Sequence, residues 1–92
     1  MSTSVAVYVT TNNGDPVTGT KVTFTNVNEE GVVITTTLDE TGEFFFTDFR
    51  KGVYELTIAK NGFTSGIESE IMEIWEPTMI TCELVESLSS VE

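Results

Sequence analysis

Side chains that most often carry enzymatic chemistry are sparse in this sequence. Histidine is absent, which excludes a Ser-His-Asp or Cys-His nucleophile and a histidine-ligated zinc within the chain. Cys82 is the single cysteine; it alternates with Ile80 and Leu84, lacks a histidine base, and reads as inert core filling that cannot form an intramolecular disulfide. Glu40, Glu43 and the other scattered carboxylates would serve as a glycosidase pair only if held about 5 to 9.5 Å apart across a pocket. No spacing here specifies such a pair, and these residues read as solvated surface acids. The glycines form neither a phosphate loop nor a dinucleotide fingerprint.

Calcium is the ligand best matched to the oxygen donors. Asn12, Asn13 and Asp15 cluster in one loop and Asp39 and Glu40 in another, supplying amide and carboxylate oxygens of the kind a hard cation takes. Their spacing is not that of an EF-hand, and all five residues also suit tight turns. The turn-forming, solvent-facing reading is preferred, with calcium assistance as the secondary one; no cofactor is expected.

The background to these residues is 92 positions, 39% of them hydrophobic, with 15 carboxylates against four basic side chains and a formal net charge of -11. A chain of this length forms one small domain with one core, so any site must be superficial. The negative charge repels phosphate backbones and anionic lipid, which argues against nucleic acid and a membrane surface. No apolar run is long enough for a transmembrane helix or an intact signal peptide, so no direct membrane insertion is expected. Arg50 and Lys51 are the only adjacent basic pair and read as a solvated turn.

Period-two alternation dominates the pattern. Val5, Val7 and Val9 share one face of a first strand, with Ala6 and Tyr8 on the other. The run Asn12 to Pro16 makes a loop, and Lys21 to Val27 resumes with Val22 and Phe24 together. After Asn28 to Gly31, Val32 to Leu38 forms a third strand. The turn Asp39 to Gly42 precedes Glu43 to Thr47, where Phe44 and Phe46 point together as core candidates and Phe45 points away. Asp48 to Gly52 reads as a turn with Phe49 folding over the core edge. Tyr54, Leu56 and Ile58 mark a fifth strand, and Phe63 plugs the core end before a polar loop, Thr64 to Gly66. Ile67 to Trp75 reads as a sixth strand, although its spacing also fits a short helix; Met79 to Val85 is the seventh. The ordered core is expected to run from about residue 4 to residue 86, followed by a flexible acidic tail. Seven strands, each with one apolar row, bury those rows most simply as two antiparallel sheets in a β-sandwich.

Four segments fall in a familiar order. They are Gly14-Asp15-Pro16-Val17-Thr18-Gly19 leading into Thr20 to Phe24; Asp39 to Phe46, an acidic turn entering an aromatic strand; Gly52 to Ile58, with its glycine-x-tyrosine-x-leucine pattern; and the pair Gly62-Phe63. This order, from Val7 to Val85, resembles the carboxypeptidase regulatory-like domain, a transthyretin-like family. Arg50 and Lys51 depart from it at a turn often rich in proline, and Leu38 replaces a common polar residue. The resemblance implies an all-β, seven-stranded antiparallel Greek-key sandwich that is noncatalytic. It further implies an accessory structural or interaction module of a larger secreted or cell-surface protein, hence an extracytoplasmic location, with neighbouring domains or another protein as partners. The alternative is an adhesin-like module that binds carbohydrate or protein, with Tyr8, Phe45 and Trp75 as its contacts.

Overall fold

Apolar alternation becomes eight strands in the computed structural model, which describes residues 1–87. They are β1 (Ser2–Thr11), β2 (Lys21–Asn26), β3 (Val33–Thr37), β4 (Glu43–Arg50), β5 (Gly52–Ala59), β6 (Phe63–Ser65), β7 (Glu70–Ile74) and β8 (Thr78–Glu86). One sheet has the order β4-β1-β8-β6 and the other β3-β2-β5-β7. The arrangement is all-β, a two-sheet sandwich of the general Greek-key, transthyretin-like kind. The acidic tail expected at the C-terminus falls, for residues 88–92, outside the described residues.

Four expectations are corrected. The strand count is eight, because Phe63–Ser65, expected as a plug at the core end followed by a polar loop, pairs with β8 through Phe63↔Glu86, Thr64↔Val85 and Ser65↔Leu84. Three residues are too few to show a period, and Ser65 disguises its burial by bonding locally: its hydroxyl accepts from the Ile67 amide at 3.0 Å. The sheets are not wholly antiparallel either, since β1 and β8 run parallel from Val5↔Thr78 to Thr11↔Leu84. Side-chain alternation carries no strand direction. The expected sixth strand shrinks to Glu70–Ile74, with Met72 half-buried and Ile74 fully buried.

The fourth correction concerns β4. Asp48 to Arg50 continue the strand instead of turning, and Phe49 is wholly buried while Phe44 and Phe46 are half-buried. The register explains this: Val5 faces Phe46 and Thr3 faces Phe49, so two steps along β1 are matched by three along β4. The extra residue is a β-bulge, which leaves Thr47 and Asp48 both exposed and reverses the alternation beyond them. Without it, Phe49 would share the outward side with Phe45.

Turned inward, Phe49 meets Phe24 of β2 at a ring-centroid distance of 5.0 Å, Tyr54 of β5 at 4.9 Å and Phe46 of its own strand at 5.6 Å, all edge-on. Edge-to-face packing of this kind adds to simple burial. Tyr54 keeps its hydroxyl satisfied by donating to the Arg50 carbonyl at 2.6 Å. Around this cluster lie Val5, Val7 and Val9, Val22, Leu56 and Ile58, and Ile80, Cys82 and Leu84, on the inward rows foreseen by alternation.

Two glycines are set by close approach. A Cβ on Gly42, whose φ is 71°, would run into the Val9 carbonyl oxygen, the neighbour whose amide donates to the Gly42 carbonyl at 2.8 Å. A Cβ on Gly52 would lie 2.7 Å from the side-chain nitrogen of Asn26. Asn26 cannot easily yield, because its side-chain oxygen accepts from the Asn28 and Glu29 amides, each at 2.8 Å.

Urea unfolding is expected to show Phe49→Ala losing about 3 to 5 kcal/mol, as for other buried aromatic truncations. Phe45→Ala should stay within roughly 0.5 kcal/mol of the parent, as for ordinary surface substitutions. Similar losses at the two positions would mean that β4 lacks the bulge.

Candidate functional site

Strand alternation turns one set of apolar side chains to solvent on the sheet that contains β4, β1 and β8. Phe45 is 67% exposed, Met79 70% and Tyr8 40%. The register sets Phe45 and Met79 on either side of Ala6, and Glu43 and Thr81 on either side of Tyr8. Tyr8 and Phe45, two of the three expected contact residues, therefore share a face. Trp75 does not: it follows β7 in the other sheet, is half-exposed, and donates from its ring nitrogen to Glu73 at 3.1 Å. Met79 was not foreseen as a contact. Its outward orientation follows from Ile80, Cys82 and Leu84 pointing in, but its place beside Ala6 needed the parallel register.

Next to this row, Tyr8, Thr10, Thr81, Cys82 and Glu83 line an open depression of about 270 Å³. Cys82 contributes little to it; the residue is buried, and its sulfur lies 3.4 Å from the Ser65 hydroxyl. A thiol reagent is accordingly expected to label the native protein slowly and the urea-unfolded protein at once, as mass spectrometry would read. Equal rates in the two states would remove Cys82 from the core.

The five oxygen-donor residues occupy two separate turns. In the first, the Asn12 amide donates to the Leu84 carbonyl at 2.9 Å and its side-chain oxygen accepts from the Glu86 amide at 3.2 Å. The Asn13 side-chain amide donates to Asp15 at 3.1 Å and to Glu86 at 3.0 Å, while the Asp15 backbone amide donates back to Asn13 at 2.9 Å. These bonds fasten the β1–β2 loop to the end of β8. In the second turn, Asp39 accepts from the Thr41 amide at 2.9 Å and from the Thr41 hydroxyl at 2.6 Å, and Glu40 is exposed. Among the described residues, no group of three or more Cys, Asp or Glu side chains is placed to hold a metal ion.

Thr41 has an electrostatic effect on its partner. The hydrogen bond from its hydroxyl, followed by that from its amide, holds the Asp39 carboxyl below the ordinary aspartate value of 3.8. At the other end of the molecule Arg50 pairs with Glu29 through two bonds, at 2.6 and 2.8 Å. That contact lowers the Glu29 carboxyl and raises the guanidinium, chiefly through the hydrogen bond itself. Both partners are solvent-exposed, so the pair positions the end of β4 more than it stabilises the fold.

Because the folded-state value of Asp39 is depressed, its contribution is complete above 3.8 and is lost as pH falls through the lower folded value. Asp39→Asn keeps the accepting oxygen but not the charge. The melting-temperature advantage of the parent over this variant is therefore expected at neutral pH and should close as the solution is acidified below 3.8. A gap independent of pH would assign the effect to something other than that charge.

The sequence profile of the carboxypeptidase regulatory-like domain matches residues 4–75. No curated protein matches the sequence. Two solved structures are similar at 13% identity: the TIE protein of Bacillus anthracis and the minor pilin of Streptococcus agalactiae. The first has a TM-score of 0.68, with 90% of this chain and 16% of that one covered. The second has a TM-score of 0.69, with 97% of this chain and 46% of that one covered. At that identity the likeness is one of fold, and the chain spans less than half the length of either structure.

Proposed function

The chain belongs to the carboxypeptidase regulatory-like domain family, and from that membership we propose that it is an accessory module of a larger secreted or cell-surface protein, stabilising or positioning a neighbouring domain. It is a small noncatalytic β-sandwich. The observation that carries the reading is the match over residues 4–75, on a fold whose buried side chains are occupied in joining two sheets. The extracytoplasmic location is supported by the likeness to a minor pilin, and the modular role by the small share, 16% and 46%, of the two longer chains that this fold accounts for.

A second, adhesin-like reading draws on Tyr8 and Phe45 standing exposed on one face. In that reading the domain recognises a protein or a carbohydrate directly. Calcium at the first turn would compete with the bonds from the Asn13 amide to Asp15 and Glu86, and neither reading depends on it.

Excising this segment from the longer polypeptide distinguishes the two. The accessory reading expects the neighbouring domain to melt earlier or to be secreted poorly, with any intrinsic activity of the surviving folded fraction unchanged. Unaltered stability and secretion together with lost ligand recognition would replace it with the adhesin-like reading.

A further inference from the structure

Resting on the interaction role just proposed, we propose that the outer face of β4, β1 and β8 is a docking surface for a polypeptide partner that presents an apolar side chain beside a Lys or Arg. Neighbouring strands lie about 4.8 Å apart, so Phe45, Ala6 and Met79 form one row roughly 10 Å wide. The small Ala6 side chain sits between two large exposed ones and leaves a saddle into which one apolar side chain fits. Exposed apolar groups collected in this way, aromatic and methionine together, are the composition of a protein interface core.

The next two rows specify the charge. Glu43 lies across from Tyr8 on β4, and Glu83 lies across from Thr10 on β8. The 270 Å³ depression lined by Tyr8, Thr10, Thr81, Cys82 and Glu83 opens beside Glu83, with Glu43 across Tyr8 from it. A long basic side chain lying there rests its stem and charge against the Tyr8 ring and meets the Glu83 carboxylate, with Glu43 on the far side of Tyr8.

Among the described residues, no lysine or arginine pairs with Glu43 or Glu83. Lys21 stands on β2 in the other sheet, Lys60 donates to the Thr18 carbonyl at 2.8 Å, Arg50 is held by Glu29, and Lys51 links β4 to β5. A second copy of the chain, itself carrying a net charge of -11, would bring carboxylates toward carboxylates and is disfavoured as the occupant. Carbohydrate is the weaker fit because the Phe45-Ala6-Met79 row offers no side-chain donor or acceptor for hydroxyl groups.

The test is an amide chemical-shift titration of the protein with two synthetic hexapeptides, one alternating Leu with Arg and the other Leu with Glu. The basic peptide is expected to shift Ala6, Tyr8, Phe45, Met79 and Thr81 and the acidic one to leave them in place. Phe45→Ser, and separately the pair Glu43→Gln with Glu83→Gln, should weaken the response about tenfold or more. Melting curves matching the parent would show that these exposed substitutions leave the fold intact. Any of four results overturns the proposal: no localised shift, equal response to both peptides, dimerisation without peptide that Phe45→Ser abolishes, or the same residues shifting with an oligosaccharide instead. Such a failure is separate from failure of the accessory role, which excision reads from the stability of the neighbouring domain.

Discussion

The two sheets are locked where the β4 bulge turns Phe49 inward. A regular strand would set Phe45, Thr47 and Phe49 on one side, leaving two phenylalanines in water and no ring between β2 and β5. One inserted residue places Phe49 against Phe24 and Tyr54. Phe45, ahead of the insertion, points outward by ordinary alternation. The aromatic lock is thus the consequence of one local irregularity and the exposed apolar face that of the regular alternation before it, and a shift of register in β4 would alter both together.

The burial of β1, β2, β5 and β8 was legible in the sequence because each has a clean period of two over at least four residues: Val5, Val7 and Val9, or Tyr54, Leu56 and Ile58, could point only one way as a set. The misreadings arose where that periodicity fails. Phe49 sits beyond a bulge, which breaks the count by one. Ser65 is buried but polar, and β6 holds only three residues. The parallel pairing of β1 with β8 left no trace in either strand, since direction is decided by the path of the chain between them. For the candidate face, Tyr8 and Phe45 could be seen as outward, whereas their proximity and the place of Met79 beside Ala6 required the pairing of three strands distant in sequence.

The polar loops divide into those with structural duties and those left to solvent. Asn26 holds the turn after β2 and fixes glycine at position 52; Asn12 and Asn13 tie the β1–β2 loop to β8; Asp39 caps its own turn through Thr41. Oxygen-rich sequence was therefore a guide to chain reversal more than to ligand chemistry, because short amide and carboxylate side chains satisfy nearby backbone donors. Glu43 and Glu83 stand instead within strands β4 and β8, beside the exposed apolar row.

The first and last strands lie side by side in the same direction, joined through seven register pairs from Val5↔Thr78 to Thr11↔Leu84. Tension drawn between the start of β1 and the end of β8 acts along that ladder, so its hydrogen bonds are loaded in shear and share the force. An antiparallel pair pulled from one end would instead unzip one rung at a time. A pull applied at both poles therefore meets the whole ladder at once.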